Sequence, residues 1–277
     1  MTTEPSNVTR IAFIGFGEVG QRFAADFGRL ENVALSAFDI AFAQTTRRHQ
    51  LLAQAQKLNV VAAADGEAAC RQAQIVVSAV TADQTEAVAK AAALFLRSGQ
   101  LYVDVNSASP ETKARSAGWV NASGAHYVEA AVMAAVKLPG IRVPILAGGP
   151  EAERVAGELN RLGMNVTPVA AVYGRASAIK LCRSIVIKGL EALMVDCATA
   201  AKTFGVEQEV YASLAGTYPS IDWAQLAGDM GERVATHGIR RAAEMREAAD
   251  MLAETGIDPA LAAAVAAAQA RGAKAVR

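Results

Sequence analysis

The stretch Arg10-Ile-Ala-Phe-Ile-Gly-Phe-Gly-Glu-Val-Gly-Gln-Arg-Phe-Ala24 decides the fold of this chain. It places an apolar run directly before three glycines in the pattern G-x-G-x-x-G, and a helix-compatible segment follows. Strand, glycine turn and helix in this order are the fingerprint of a dinucleotide-binding unit. In such a unit Gly15 makes the tight turn, Gly17 lets the backbone approach a diphosphate, and Gly20 lets the helix pack closely on the strand. The stretch therefore predicts a Rossmann domain.

A second apolar run supports the same unit. Val33-Ala-Leu-Ser-Ala-Phe38 ends at Asp39, 19 residues beyond Gly20. A carboxylate there accepts hydrogen bonds from a free ribose and repels a 2′-phosphate, so NAD is the predicted cofactor. An unrelated α/β fold with a glycine-rich loop would leave Asp39 unexplained. NADP is the alternative cofactor, and its 2′-phosphate would be bound by Thr45, Thr46, Arg47 and Arg48. The predicted cofactor-binding residues are Gly15, Phe16, Gly17, Glu18, Val19, Gly20, Asp39, Val80 and Thr81.

The composition argues against several classes of function. The 277 residues carry 27 basic and 27 acidic side chains, so no charge excess indicates binding to nucleic acid or to an anionic membrane. Residues 1–7 lack the basic and apolar regions of a signal peptide, and no apolar run is long enough to span a membrane. The spacing of the three cysteines and three histidines fits neither a disulfide framework nor a metal site. We therefore expect a cytoplasmic protein with no metal and with neither a nucleic-acid nor a membrane partner.

Two patterns follow each other along the chain. From residue 10 to about residue 168 strands and helices alternate, which predicts a parallel sheet with helices on both faces. Ala176 to Thr203 contains no proline and predicts one long helix. Everything after it has a helical pattern, with predicted helices at Glu207–Leu214, Trp223–Arg233, Thr236–Glu254 and Pro259–Arg271. The predicted fold class is α/β, with an N-terminal Rossmann domain (1–170) linked by the long helix to an all-α C-terminal domain (171–277). The alanine-rich helical half also predicts a homodimer through the second domain.

Two polar segments are candidates for chemistry. Ligands of open α/β sheets bind at the carboxyl ends of the strands, and Asp104-Val-Asn-Ser-Ala-Ser-Pro110 follows a predicted strand there. This segment is typical of a ligand-binding turn and equally of an ordinary Asx turn before a helix. The second segment opens the long helix and carries Lys180 and Ser184 on one face. A lysine with a lowered pKa can take a hydroxyl proton as hydride leaves an alcohol, whereas most helix lysines are simply solvated.

These motifs resemble those of the β-hydroxyacid dehydrogenase family, which includes 3-hydroxyisobutyrate, tartronate semialdehyde and 6-phosphogluconate dehydrogenases. The resemblance covers nearly the whole first domain and the long helix. Besides the glycine fingerprint, D-x-S-T-x-x-P corresponds to Asp104–Pro110, and D-A-P-V-S-G-G corresponds loosely to Glu129–Ala135. Paired glycines ending a strand correspond to Gly148 and Gly149, and G-x-G-x-x-x-K-x-x-x-N corresponds to Gly174, Lys180 and Ser184. The resemblance implies that Lys180 is the catalytic general acid/base and that Asn106 and Ser107 bind the substrate.

The departures from these motifs concern the substrate. Met133-Ala134-Ala135 replaces Ser-Gly-Gly, Ala176 replaces a glycine, and Ser184 replaces an asparagine. The three alanines thus place side chains where the family keeps its backbone bare, so we expect an acid group that is held differently, a bulkier substrate, or one that is not a simple hydroxy acid. Met133 and Ser184 are counted as substrate-binding because they stand at the family's serine and asparagine. Arg240 is also counted, because an arginine of this helix can clamp a carboxylate bidentately, although a solvated helix face is equally typical. The roles of His237, Arg241 and Arg246 stay open.

The residues together predict an NAD(P)-dependent oxidoreductase that oxidises a hydroxy acid or a related alcohol, with Lys180 as general acid/base. Two alternatives stay open. An imine reductase shares the two-domain build but characteristically has a different residue at the position of Lys180. A non-catalytic protein would bind NAD without hydride transfer. The sequence names neither the substrate nor whether decarboxylation accompanies oxidation.

Overall fold

The first of two compact units is built on one twisted sheet. The computed structural model describes residues 8–43 and 45–274, and it divides the chain after Lys180. The strands formed by the described residues are β1 (Thr9–Ile14), β2 (Val33–Phe38), β3 (Val60–Ala62), β4 (Ile75–Ser78), β5 (Leu101–Asp104), β6 (His126–Val132), β7 (Pro144–Gly148) and β8 (Asn165–Ala170). Their spatial order is β3-β2-β1-β4-β5-β6-β7-β8. The strand order reverses between β1 and β4, and a crevice for ligands opens at the carboxyl ends of these two strands.

The helices formed by the described residues are α1 (Glu18–Phe27), α2 (Thr45–Lys57), α3 (Gly66–Cys70), α4 (Thr85–Ala92), α5 (Pro110–Ala122), α6 (Ala152–Arg161), α7 (Arg175–Phe204), α8 (Glu207–Thr217), α9 (Trp223–Glu254) and α10 (Ala260–Lys274). Short 3₁₀ turns lie at Ile40–Phe42, Ala82–Gln84 and Gly140–Arg142. None of the helices in the described part of the chain is long and apolar enough to cross a membrane.

Alternating residues of β1 cover the two faces of the sheet. Ile11 and Phe13 pack with Phe27 of α1 and with α6 on one face. Ala12 and Ile14 pack with α3, α4 and α5 on the other face. The predicted fold class is therefore confirmed: a Rossmann domain with helices on both faces, followed by one long helix and an all-helical region.

β7 departs from the predicted parallel arrangement. It runs antiparallel to β6, whereas the other neighbouring pairs of the described sheet are parallel. The connection between these strands, residues 133–143, contains only the 3₁₀ turn Gly140–Arg142. A parallel neighbour needs a longer crossover, usually a helix. The prediction of a parallel sheet is therefore wrong at this strand.

The second unit is helical, and one of its helices is longer than predicted. The segments Trp223–Arg233 and Thr236–Glu254, predicted as two helices, form the single helix α9 of 32 residues. The predicted break is absent because Val234 is buried and because Gly238 lies directly against the Gln269 carbonyl of α10, where no side chain would fit. Tertiary packing here overrides the weak helix propensity of the Thr-His-Gly segment.

The two compact units meet in sequence at Lys180 and Leu181, within α7. The predicted boundary at residues 170 and 171 lies before this helix. The first turn of α7 belongs to the first unit because its backbone N–H groups, at Gly174 and Ser177, donate to the Glu129 carboxylate of β6.

Candidate functional site

The turn between β1 and α1 forms an open cradle of backbone atoms. Gly15 has φ +93°, a conformation that favours glycine, and a side chain there would collide with the Ala79 carbonyl. A Cβ on Gly20 would lie 2.5 Å from the Gly15 carbonyl oxygen. By contrast, no atom lies within 4 Å of a Cβ built on Gly17, the N-cap residue of α1. The open side of the turn therefore presents the first N–H groups and the positive dipole end of α1, an arrangement that binds phosphate groups.

Two backbone hydrogen bonds hold Asp39 beside this cradle. Its Oδ2 accepts a hydrogen bond from the Phe16 backbone N–H at 2.7 Å, and its Oδ1 accepts from the Ala41 N–H at 2.8 Å. The carboxylate therefore fixes both the glycine turn and the 3₁₀ turn that begins at Ile40. Because each carboxylate oxygen can accept more than one hydrogen bond, Asp39 keeps acceptor capacity for ribose hydroxyls.

A cavity of about 360 Å³ opens between this turn and α2. Asp39 lines it together with Arg47, so the residues expected to favour NAD and NADP face the same space. The side chains of Thr45 and Thr46, which were considered for NADP, lie outside the described residues. The lining residues of the cavity are Phe16, Gly17, Gln21, Asp39, Ala41, Arg47, Gln50, Leu51 and Gln54.

The Asn106 side chain ties two strand ends together. Its Oδ1 accepts from the Val80 N–H at 2.7 Å and its Nδ2 donates to the Ser78 Oγ at 3.0 Å. Asn106 is 4% exposed, so most of its amide is engaged within the protein. Val80 also lies against the Gly15 turn, whereas Thr81 is exposed and makes no capping hydrogen bond. Asn106 thus holds the end of β4 beside the glycine cradle.

Ser107, the next residue, differs from Asn106 in its hydrogen bonding. Its Oγ is buried and has no hydrogen-bond partner among the described residues. Buried hydroxyl groups normally have a partner, so such an atom calls for an explanation, and a role in binding a ligand is one. Ser107 lies at the carboxyl end of β5, beside β4 in the sheet, on the edge where the fold binds its ligands.

A buried ion pair that the sequence did not reveal holds the start of the turn that contains Asn106 and Ser107. The Lys113 Nζ lies 3.0 Å from the Asp104 Oδ1, and both side chains are buried. The Tyr127 hydroxyl donates to the Asp104 Oδ2 at 2.6 Å, and the Asn106 N–H donates to Oδ1 at 2.9 Å. Burial, and next the charge of Asp104, hold the pKa of Tyr127 well above its usual range, so the phenol remains a donor. Asp104 therefore anchors the start of the turn that carries Asn106 and Ser107, the residues predicted to bind the substrate.

Glu129 is a second buried carboxylate that sequence reasoning did not single out as functional. Its Oε2 accepts from the Gly174 N–H at 2.6 Å, and its Oε1 accepts from the Ser177 N–H at 2.5 Å. The sequence did contain one indication of its importance: in the segment aligned with D-A-P-V-S-G-G, Glu129 corresponds to the family's aspartate. Glu129 thus connects β6 to the first turn of α7.

Lys180 lies in the second turn of α7 and is half-buried.

Met133 is half-buried and follows β6, with Ala134 and Ala135 exposed after it. The Met133 N–H donates to the Pro144 carbonyl at 2.9 Å, which fixes the backbone directly before the two positions where the family has glycines. Met133, Ala134 and Ala135 thus place side chains directly after the carboxyl end of β6.

Ser184 and Arg240 belong to one polar cluster of the second unit. The Lys188 Nζ donates to the buried Ser184 Oγ at 2.9 Å and lies 2.8 Å from Glu244. Arg240 is 52% exposed in its side chain and pairs with the same Glu244 at 3.1 Å. The more buried arginine is Arg241, whose Nε donates to the fully buried Glu191 at 2.8 Å. His237 and Arg246 are exposed.

Comparisons with known proteins agree with this architecture. Residues 10–170 match the NAD binding domain of 6-phosphogluconate dehydrogenase, and residues 201–272 match a domain of unknown function, DUF1932. A conserved hypothetical protein from Sinorhizobium meliloti 1021 is 37% identical, with a TM-score of 0.80 over 98% of this chain and 90% of that one. The conserved protein MTH1747 of unknown function, itself similar to 3-hydroxyacid dehydrogenases, is 32% identical, with a TM-score of 0.74 over 96% and 97%.

The same fold occurs in a characterised enzyme. The Mycobacterium tuberculosis 3-hydroxyisobutyrate dehydrogenase, solved with L-serine, has a TM-score of 0.75 at 18% identity, over 96% of this chain and 94% of that one. The glycine cradle, the acid at the end of β2 and the matched domain identify the first unit as an NAD(P)-binding domain. The chain belongs to the β-hydroxyacid dehydrogenase-like family.

Proposed function

We propose that the protein is an NAD-dependent dehydrogenase that oxidises a hydroxy acid or a related alcohol, with Lys180 as general acid/base. The observation that carries this proposal is the buried Ser107 Oγ, which has no partner in the described part of the chain. Leaving such a group unpaired costs about 1–3 kcal/mol, a cost that a substrate oxygen bound to it removes. Asn106 links the same turn to Val80 and hence to the glycine cradle.

The first unit fits a bound dinucleotide. The open space at Gly17 leaves room for a diphosphate at the N-terminus of α1, and the cavity beside Asp39 has room for a nucleoside. When bound, NAD supplies the acceptor for the hydride that leaves the carbinol carbon. Val80 and Thr81, at the end of β4, are the proposed contacts on the nicotinamide side, and Phe16, Glu18 and Val19 complete the diphosphate turn.

Lys180 is the group proposed to move the proton. In the oxidation direction its neutral Nζ accepts the hydroxyl proton as the carbonyl forms, and in the reduction direction its ammonium returns that proton. Positioned general acids and bases contribute rate factors of about 10²–10⁴. Because the two directions need opposite protonation states, the oxidation rate should rise with pH and the reduction rate should fall over the same interval.

Met133, Ser184 and Arg240 are the proposed specificity residues. Lys188 has only donors to offer, so the Ser184 Oγ accepts its hydrogen bond and the Ser184 hydroxyl hydrogen remains available for a substrate oxygen. Arg240 is exposed enough to exchange Glu244 for a substrate carboxylate. Met133 presents an apolar side chain where the family has serine, which favours a substrate with an apolar substituent.

The test of the function is a screen for turnover. Purified protein is offered 3-hydroxy acids (including 3-hydroxyisobutyrate), L-serine, aromatic hydroxy acids and sugar acids with NAD or NADP, and the reduced cofactor is followed by absorbance. We expect turnover of at least one hydroxy acid. Reduction of cyclic imines in place of hydroxy-acid oxidation would indicate an imine reductase. Cofactor binding by calorimetry without any turnover would indicate a non-catalytic NAD-binding protein.

The cofactor preference rests on Asp39 and Arg47. We expect NAD to be preferred, and Asp39→Asn to lower the ratio of NAD to NADP affinity about 10–100-fold, because a charged hydrogen bond to the ribose is lost and the repulsion of a 2′-phosphate disappears. Arg47→Gln should weaken NADP binding alone. Asp65→Asn is the matched control, since Asp65 caps α3 in the way that Asp39 caps its 3₁₀ turn but lies outside the cavity. Tighter NADP than NAD binding in the unmodified protein would contradict the assignment.

The helical unit carries the surface proposed for a homodimer. Val186, Leu190 and Leu193 are exposed at helical spacing on α7, which is an apolar stripe typical of an interface with a second copy. We expect the protein to sediment as a dimer at micromolar concentration and Leu193→Asp to produce monomers. Leu138→Asp is the control, because Leu138 is also exposed but lies in the first unit. A monomeric unmodified protein, or a dimeric Leu193 variant, would contradict this interface.

A further inference from the structure

The start of α7 has no capping side chain of its own. Its N-cap residue is Gly174, in a left-handed conformation with φ +88°, and its first turn contains no acidic residue. The first N–H groups of a helix have no partner inside the helix, and an N-cap side chain normally accepts one of them. A helix with a glycine N-cap and a buried first turn must therefore find its acceptor elsewhere.

Glu129 supplies that acceptor from the sheet. Its two carboxylate oxygens accept from the Gly174 and Ser177 N–H groups at 2.6 and 2.5 Å, the same pair of N–H groups that a capping box satisfies locally. The carboxylate is fully buried, and both bonds are charge-assisted and short. A negative charge also stabilises the positive end of the α7 dipole. Glu129 thus fixes both the position and the direction of the helix at its origin.

The same contact brings α7 against the substrate-binding turn. A Cβ on Gly174 would lie 2.9 Å from the Pro110 Cβ, so the start of α7 packs directly on the first residue of α5. Pro110 ends the turn that carries Asn106 and Ser107. In the sheet, Glu129 is paired with Asp104, the residue that begins this turn. Glu129 therefore lies beside both ends of the turn, and Lys180 follows within the next helical turn of α7.

We propose that Glu129 is a positioning residue for Lys180: by capping α7 from β6, its carboxylate sets the location of the Lys180 amine relative to the turn at Asn106 and Ser107. The role rests on the proposed function of Lys180. A displacement of about 1 Å at a reacting group can cost on the order of 10²-fold in rate. A carboxylate is required because an amide in its place offers one oxygen to two N–H groups and turns its own donors toward the other.

The experiment compares Glu129→Gln with Lys180→Met and with Val155→Ala. The last variant truncates a buried side chain of α6, which should lower stability while leaving both hydrogen bonds of the Glu129 carboxylate in place. Amide hydrogen exchange is measured first, on the full chain without substrate. Glu129→Gln should accelerate exchange at Gly174 and Ser177 at least tenfold, and Val155→Ala should not. Turnover of 3-hydroxyisobutyrate, or of the best hydroxy acid from the screen, is then measured with the carbinol hydrogen and with deuterium.

For Glu129→Gln we expect kcat to fall on the order of 10²-fold, NAD affinity to change less than threefold, and the deuterium isotope effect on kcat to rise as hydride transfer becomes limiting. Val155→Ala should leave kcat and the isotope effect unchanged at an equal loss of thermal stability. Faster amide exchange with unchanged kcat would overturn the positioning role while leaving Lys180 intact. Full turnover by Lys180→Met would instead overturn the proposed function. If Glu129→Gln does not fold, Glu129→Asp, which keeps the charge on a shorter side chain, should show the same changes at smaller size, and an unchanged kcat there overturns the proposal.

Discussion

Lys180→Met should lower kcat for hydroxy-acid oxidation by about 10³-fold while the dissociation constant for NAD changes less than threefold. Methionine keeps the length and apolar stem of the half-buried lysine but has no group that accepts the hydroxyl proton. The groups proposed to bind the cofactor lie on the glycine turn and around Asp39, beside a cavity that Lys180 does not line. In this variant turnover should therefore fall while NAD binding is retained. Stopped-flow kinetics would measure the turnover, and calorimetric titration with NAD would measure the binding.

The matched control for this prediction is Lys202→Met, which removes an exposed lysine from the last turn of the same helix. It should retain full turnover. The pH dependence adds a second check, because the rise of the oxidation rate with pH should disappear together with the amine. Turnover within tenfold of the unmodified protein in Lys180→Met would refute Lys180 as the acid/base group, whichever substrate is used.

Parts of this fold could be read from local sequence because local geometry decides them. A tight turn with φ +93° at Gly15 and a close helix contact at Gly20 both require glycine, so the fingerprint specifies strand, turn and helix together. Asp39 was predictable for the same reason, since it ends the next strand at a fixed separation. The structure adds that its carboxylate also holds the Phe16 N–H, which no spacing rule contains.

The missed features depend on contacts between distant segments. Glu129 caps α7 from 45 residues away in the chain, and Lys188 meets Glu244 across two helices of the second unit. The continuity of α9 through Gly238 depends on close packing against α10 in the same way. Local propensity and periodicity describe one segment at a time, so they indicate that these residues are polar or small without identifying their partners.

The buried pair of Asp104 and Lys113 should give the largest single effect on stability in the first unit. Lys113→Met leaves a fully buried carboxylate without its cation, and removing one partner of a buried ion pair typically costs about 3–5 kcal/mol in the free energy of unfolding. The Tyr127 hydroxyl and the Asn106 N–H still donate to Asp104, but neither carries a charge. The loss of the Lys113 amine should also disturb the candidate functional site, because the same Asp104 carboxylate anchors the turn with Asn106 and Ser107.

The two tryptophans make this loss measurable in the correct unit. Trp119 lies in α5 of the first unit and Trp223 lies in α9 of the second, so in a Trp223→Phe background the fluorescence change in urea reports unfolding of the first unit. The double variant Asp104→Asn/Lys113→Met buries no charge at this position. It should recover part of the lost stability, because no unpaired carboxylate is then buried without its cation. A loss below about 1 kcal/mol in Lys113→Met, or a double variant less stable than the single one, would mean that Asp104 does not depend on Lys113. In that case the phenol of Tyr127 and the Asn106 N–H alone would be sufficient to hold the carboxylate that begins the turn with Asn106 and Ser107.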